Sequence, residues 1–476
     1  MLINNKIPDR IQNVHLIAVC GTGMGALACM LKDLGLNITG SDQNVYPPMS
    51  TFLSEKGISI LKGYSKKNLS HKPDIVIVGN TVSRENPEVK EMLNQGFPCC
   101  SMPQAIQHFF GNRKLLLISG THGKTTTSSL LAWLLKHADQ DPSFFIGGIV
   151  ENFSSNYRIG QGPYMVIEGD EYDTAFFDKG PKFLHYNPSH AILTSVEFDH
   201  ADIYKDLNHV KSSFAKLINS LSEESLLIAY EPNENVRELI EKTPCKCETY
   251  GSERSHWKIK NIQIEPPWTI FDVFYKQQLY QNFRTLLMGE HNLANILSTI
   301  AITHDLGLNS NDIAKGLESF KGVKRRQEIR GIEKGITVMD DFAHHPTAVY
   351  ETLCAVNSFY KKGRIIAVFE PRTNSSRRKT FQEVYPDSFK PADIICVRQA
   401  PLLEKIPEKD RFSSRQLVED LKIKGQEAHY FENTDKIIDF VSQVAKADDL
   451  VIIMSNGGFE NIHERLLNRL NKKRKS

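Results

Sequence analysis

No apolar run in this chain approaches the ~18 residues that cross a bilayer, and the opening MLINNKIPDR lacks the hydrophobic stretch of a secretory leader. No C-x-x-C pair occurs among the eight cysteines, which removes a zinc ribbon and a dithiol redox motif. Eight thiols in 476 residues are also too sparse for a disulfide scaffold, and the close pairs Cys99-Cys100 and Cys245/Cys247 suit a reducing compartment. Neither sign of charge is in excess, 58 Lys+Arg against 56 Asp+Glu, so the global field expected of a nucleic-acid or membrane-surface protein is missing. There is no low-complexity tract and no short-period repeat. These absences leave a cytoplasmic globular chain with no nucleic-acid partner and no membrane insertion. The run Lys472, Lys473, Arg474, Lys475 reads as a solvated tail.

What is present is α/β patterning on a scale that one core does not organise, so two to three domains are expected. Three blocks each restart an alternation of β-branched runs and helix-like stretches, the mark of parallel α/β units. The first holds VHLIAVC, LNITGSD and DIVIVGN, and the second KLLLISG, YMVIEGDE and HAILTSVEFDH. The third holds ITVMDDFAHHP, RIIAVFEP, ADIICVRQA and DLVIIMSNGG. The polar stretch 245–281 reads as short antiparallel strands.

Two glycine loops follow predicted strands. GTGMGA, with Gly21, Thr22, Gly23 and Gly25, fits G-x-G-x-x-G/A, and Asp42 lies where a dinucleotide fold puts its ribose-binding acid. The physics requires only a pyrophosphate at a helix N-terminus, which a dinucleotide and a nucleotide sugar both supply. GTHGKTTT, residues 120–127, is more specific. Gly120 and Gly123 let backbone approach phosphate, with Thr121 and His122 between them. Lys124 offers a point charge and Thr125 a hydroxyl for Mg²⁺, followed by Thr126. A helix start capped by a turn is the bland alternative. It weakens because Glu168, Asp170 and Glu171, then Glu197, Asp199 and His200, stand at the ends of the next strand-like runs, where an open parallel sheet gathers its ligands. Histidine is an unusual Mg²⁺ ligand, so for His200 taken alone a hydrogen bond within its loop is the default reading. A hydride-transfer enzyme needs no triphosphate loop, whereas an enzyme that phosphorylates a nucleotide-sugar substrate needs both loops.

Asn292 and Asn295, one turn apart in GEHNLANILSTIA, could read an adenine edge or cap a helix. Arg325 and Arg326 could be surface ion pairs or a phosphoryl clamp. MDDFAHHPTA concentrates Asp341, His344 and neighbouring ionisable groups in one loop. Adjacent histidines there would point in opposite directions, which argues against a metal pair.

The order GTGMGA, GTHGKTTT, EGDE, EFDHADIY, GEHN, RRQE, DDFAHHPTA and MSNGGF resembles the Mur ligase superfamily over nearly the whole chain. GSDQNVYPPMS, FFDKGPKFLHY, EPRTNS and MSNGGFENIH are more similar to its tripeptide-recycling branch than to its L-alanine-adding branch. The resemblance implies an α/β protein of three domains. These are a Rossmann-like UDP-binding domain (1–112), a central P-loop-type ATPase domain with a mostly parallel sheet (113–327), and a Rossmann-like peptide-binding domain (328–476). The implied reaction joins L-alanyl-γ-D-glutamyl-meso-diaminopimelate to UDP-N-acetylmuramate with ATP and Mg²⁺, through an acyl phosphate, and domain closure would exclude water.

Carried over by position, the resemblance puts Lys124 on the β- and γ-phosphates. Thr125 and Glu168 would take one Mg²⁺, and Glu168 and His200 a second. Asn292 would face adenine, Arg326 the γ-phosphate and Asp341 the ribose. Gly21, Gly23 and Gly25 would pack on the UDP pyrophosphate, with Asp42 near the uridine. Arg372, Asn374 and His344 fall to the peptide side. Three departures stand out. Gly169 replaces an alanine, which should be harmless. Gln327 replaces an apolar residue after the arginines. Phe214 stands where several members carry a carbamylated lysine, so no carbamate is expected.

Overall fold

The computed structural model describes residues 3–45 and 49–472. Tyr46, Pro47 and Pro48 of the GSDQNVYPPMS stretch, and all of the basic tail beyond Lys472, lie outside the described residues. The chain folds into two compact units built from non-contiguous stretches: residues 1–196, 211–257 and 298–316 form one, and residues 197–210, 258–297 and 317–476 the other.

The first unit opens with β1 (Asn13–Ile17), β2 (Asn37–Asp42), β3 (Ser59–Lys62), β4 (Ile75–Val78) and β5 (Cys99–Ser101), all parallel in the order β3-β2-β1-β4-β5. The order reverses between β1 and β4. A crevice opens at such a reversal beyond the strands' carboxyl ends, and GTGMGA leaves β1 at that point. The helix Thr22–Asp33 is buried from Met24 to Leu31, which explains why this stretch is apolar all round rather than amphipathic.

A second sheet in this unit comprises β6 (Lys114–Ser119), β7 (Ser143–Val150), β8 (Ser155–Arg158), β9 (Tyr164–Gly169), β12 (Pro188–Leu193), β13 (Leu226–Tyr230) and β14 (Lys246–Tyr250). A small hairpin, β10 (Asp173–Ala175) and β11 (Asp178–Pro181), stands apart from it. The order is β14-β13-β12-β6-β9-β7-β8, parallel except for β8. The strands β9 and β12 therefore flank β6 on its two sides; they are not neighbours of each other. In the polar stretch 245–281 the structure departs from the sequence reading. The strand β14 runs parallel to β13, because the helix Glu234–Ile240, capped by Asn233, makes a crossover rather than a hairpin.

The second unit contains the rest of that stretch as β15 (Trp257–Glu265), whose first residue belongs to the first unit, then β16 (Trp268–Tyr275) and β17 (Gln278–Thr285). The last two pair antiparallel, and each strand has eight or more residues, not the short ones expected. Burial of Thr269, Phe271 and Val273 at every second position marks a sheet covered on one face.

The C-terminal sheet has β18 (Glu328–Glu333), β19 (Ile336–Asp341), β20 (Ile365–Phe369), β21 (Ile394–Arg398), β22 (Glu427–Phe431) and β23 (Leu450–Met454), in the order β18-β19-β23-β20-β21-β22. All are parallel except β18. Met339, Ala367, Ile395 and Ile452 feed one core, while Val338, Ile366, Val451 and Ile453 feed the other. Burial on both faces is why these strands read as continuous apolar runs.

Candidate active site

In the first unit the loop after β6 carries the chemistry. Gly120 has φ +129° and Gly123 φ +82°, left-handed values that make glycine the fitting residue at both. A Cβ on Gly120 would also run into Thr194 and come within 2.8 Å of the Ser195 backbone nitrogen. The chain beyond β12 braces the loop, since Thr121 N–H donates to the Ser195 carbonyl at 2.9 Å and His122 N–H to Ser195 Oγ at 3.0 Å. The helix Lys124–His137 then starts with Gly123 as its N-cap, so Lys124, Thr125 and Thr126 form its first turn. Unpaired N–H groups and the positive end of the helix dipole meet at such a start, a ready anion site.

Lys124 is buried, with 9% of its surface exposed. Its Nζ donates to the Gly120 carbonyl at 2.5 Å and lies 3.0 Å and 3.3 Å from the two carboxylate oxygens of Glu171. Burial works against the charged lysine, but Glu171, Asp170 and Glu168 outweigh it and raise its pKa. Thr125 donates its hydroxyl to Glu168 at 3.2 Å, and Glu168 also accepts the Gly147 N–H at 2.7 Å. Desolvation, with Asp170 adding repulsion, pushes Glu168 up to about 7. Two oxygen donors side by side, one a carboxylate short of positive charge, are the donor set a hard cation such as Mg²⁺ takes. His200, the other predicted metal residue, belongs to the second unit.

Gly169, the residue that stands in place of an alanine, lies against β6 with the carboxylate of Glu168 in place before it. A Cβ there would lie 2.9 Å from Leu117 Cδ1 and 3.1 Å from Ser119 Oγ, whose hydroxyl donates to the Gly169 carbonyl at 2.8 Å.

In the first glycine loop Gly21 is the N-cap, and its carbonyl accepts the Gly25 N–H at 2.7 Å. A Cβ on Gly23 would stand 3.2 Å from the Met102 sulfur, and one on Gly25 3.2 Å from the Val19 carbonyl, so both glycines allow close packing of the helix start. Asp42 is buried and accepts N–H bonds from Cys20 and Asn44, each at 2.9 Å. It ties the carboxyl ends of β1 and β2 together beside the loop. Thr22 opens the helix.

The second unit gathers the remaining predicted residues. His200 adopts a left-handed φ of +53°, unusual outside glycine, and its Nε2 lies 3.7 Å from Asp199. His344 approaches the same carboxylate at 4.0 Å while its Nδ1 bonds the Phe342 carbonyl at 3.0 Å. Burial penalises the Asp199 charge, yet His200, His344 and His345 hold its carboxyl well below the usual carboxylate range. His345 instead caps the helix Pro346–Phe359 by accepting from Thr347 N–H, so the adjacent histidines have separate roles.

Asp341, at the end of β19, is buried and accepts N–H bonds from Ala343 at 2.7 Å and Gln327 at 2.8 Å. Burial raises its pKa against the pull of Arg326. Asn292 donates to the Met288 carbonyl at 2.8 Å and to Gln327 Oε1 at 3.3 Å, so Gln327 is joined to both Asn292 and Asp341. Both guanidinium groups lie over the Phe342 ring, Arg325 at 5.3 Å and Arg326 at 4.6 Å, and that of Arg325 also donates to the carbonyls of Ser455 at 2.5 Å and Gly457 at 2.7 Å.

Asn374 bonds Asp202 at 2.8 Å and Arg377 at 2.7 Å. Arg372 lies against the α-carbon of Gly457, where a Cβ would collide with its side chain, and is 3.7 Å from buried Glu370. The carbamate position, Phe214, is filled by the ring itself, packed 5.6 Å from Phe183, and Lys216 is exposed.

Sequence reasoning missed Glu171 as the partner of Lys124, Asp199 as the centre of the imidazole group, and Ser455–Gly457 as the seat of Arg325. Glu171 and Asp199 each left a signal, standing in the same EGDE and EFDH stretches as Glu168 and His200.

Sequence models match residues 13–114 (Mur ligase family, catalytic domain), 118–303 (Mur ligase middle domain) and 325–457 (Mur ligase, glutamate ligase domain). The chain is 38% identical to the UDP-N-acetylmuramate–L-alanyl-γ-D-glutamyl-meso-2,6-diaminoheptandioate ligase of Escherichia coli, covering 97% of this chain and 98% of that one. It is 37% identical to the ligase of the same name from Haemophilus influenzae, over 97% and 99%. The UDP-N-acetylmuramate–L-alanine ligase of Acetivibrio thermocellus is 32% identical, over 97% and 96%. Among solved structures, a murein peptide ligase from Psychrobacter arcticus aligns with a TM-score of 0.71 at 32% identity, covering 97% of this chain and 99% of that one.

Proposed function

Because this chain belongs to the Mur ligase family, we propose that it is the ATP-dependent ligase that joins L-alanyl-γ-D-glutamyl-meso-diaminopimelate to UDP-N-acetylmuramate. The observation that carries the chemistry is the phosphate loop, in which Lys124, Thr125 and Glu168 meet at a helix start after β6. The three expected domains would divide the work: 1–112 for the UDP sugar, 113–327 for ATP, and 328–476 for the peptide.

A carboxylate resists attack because a nucleophile must add charge to an anion. Transfer of the γ-phosphoryl group of ATP onto the substrate carboxylate makes an acyl phosphate. The incoming amine displaces phosphate from it through a tetrahedral intermediate, leaving an amide. Negative charge concentrates in both steps, so fixed cations and N–H donors are the main catalytic resource. Lys124 and the loop N–H groups would hold the β- and γ-phosphates, and Arg326 the γ-phosphate. Arg325 is committed to the Ser455 and Gly457 carbonyls, which favours Arg326 for that role. Thr125 and Glu168 would hold Mg²⁺, with His200 toward a second ion; when bound, the metal neutralises developing phosphate charge. Asn292 would face adenine and Asp341 the ribose. Gly21, Gly23, Gly25 and Asp42 would receive the UDP portion, and Arg372, Asn374 and His344 the peptide.

The test is phosphate release from ATP with UDP-N-acetylmuramate and Mg²⁺, comparing the tripeptide with L-alanine as acceptor. Turnover with the tripeptide alone is expected. Preference for L-alanine would move the chain to the other branch of the family.

A further inference from the structure

Glu171 has no part in the assignments above, yet it is the closest carboxylate to the lysine of the phosphate loop. It is 3% exposed, and its two oxygens stand 3.0 Å and 3.3 Å from Lys124 Nζ. An ammonium has three protons to place. One goes to the Gly120 carbonyl at 2.5 Å and one to Glu171, while for the third the described residues offer the Thr121 carbonyl at a long 3.4 Å. A phosphate oxygen can take that third proton without displacing the first two partners. Moving the lysine off Glu171 would instead break a buried ion pair, which is costly.

We infer that Glu171 is a positioning residue. It remains paired with Lys124 when the nucleotide enters and aims the ammonium at the phosphates, so the lysine need not be reoriented on binding. The pairing is a product of strand register. Ile118 of β6 faces Glu168 of β9, and Ser119 faces Gly169, which carries the following Glu171 back over the loop. The inference rests on the ATP-dependent reading, and it separates Glu171, which acts through the lysine, from Glu168, which would hold the cation. Preorganisation of this kind improves binding by removing an ordering step.

The test compares full-length wild type with Glu171→Gln, Lys124→Met and the double variant. Mg·ATP affinity is measured by titration calorimetry, and Lys124 reactivity by a brief acetic anhydride pulse followed by peptide mass spectrometry. Glu171→Gln is expected to weaken Mg·ATP by about tenfold or more. Acetylation of Lys124 should rise severalfold, and affinity for UDP-N-acetylmuramate should stay as in wild type. In the Lys124→Met background the same change should cost nothing further. Unchanged or tighter ATP binding by Glu171→Gln would overturn the inference, the tighter result making Glu171 a competitor of phosphate. An equal loss with and without the lysine would also overturn it. If Glu171→Gln folds poorly, the charge-free double variant against Lys124→Met decides by the same criterion. A wild type that binds no ATP would bring down the functional reading beneath it, while the acetylation result would still report on the pairing.

Discussion

Lys124 and Thr125 owe their positions to two glycines and a helix start, all within seven residues, whereas the partners that define their chemistry come from elsewhere in the chain. Lys124→Ala is expected to reduce kcat by about 10²-fold or more, since one preorganised charge-stabilising contact is worth roughly 3 kcal/mol; steady-state rates check this. The arginine pair should split by phenotype. Arg326→Ala should lower kcat. Arg325→Ala should lower Tm, because it removes the donors to the Ser455 and Gly457 carbonyls, a loss of about 1–3 kcal/mol. A reversed pattern would exchange their roles. Glu168, pushed up to about 7 by desolvation and Asp170, carries a pH signature. Its protonated form predominates below that value and must lose the proton to bind a cation. The apparent Mg²⁺ affinity of the nucleotide complex should therefore fall as the pH drops from 8 to 6, and a flat profile would remove Glu168 from the cation site.

Among the elements, the helix Lys124–His137 is held at both ends, and the far end is testable. Asp141, just beyond it, accepts from Lys136 at 3.0 Å and from Gln161 N–H at 2.7 Å, and it pairs with Arg158 of β8. The Gln161 N–H, Lys136 and Arg158 hold its carboxyl well below the usual range. A depressed folded pKa gives stability that is full above the ordinary aspartate value near ~4 and is lost as the pH falls through that range. Asp141→Asn should accordingly lower Tm at pH 7 by an amount that shrinks at acid pH. A Tm difference independent of pH would mean that packing rather than charge is responsible. This network was hidden in the sequence, because β8 is an antiparallel edge strand whose partner is chosen by pairing with β7. The misread polar stretch 245–281 has a similar cause. Its strands alternate as antiparallel strands do, but β14 is placed by the helix before it rather than by its own composition.

Over the whole molecule, two glycine loops should report two ligands separately. Mg·ATP and UDP-N-acetylmuramate should each raise Tm, by about 2.7 kcal/mol of stability at a hundredfold excess over Kd. Lys124→Ala should erase the first shift and keep the second, whereas loss of both would indicate one shared site. Among the described residues no helix is long and apolar enough to cross a membrane. By itself the sequence determined the α/β class, the strands β1, β2, β4, β6, β9, β12, β19, β20, β21 and β23, both loops and the family. Each of these depends on short-range features: glycine conformations, apolar runs buried on two faces, and motif order. Tertiary structure alone decided that Glu171 meets Lys124 through the β6–β9 register, that Asp199 collects His200 and His344, and that Arg325 is tied to residues some 130 positions away. Such contacts follow from strand pairing and chain crossing over long separations, and local residue patterns do not encode which side chain will arrive.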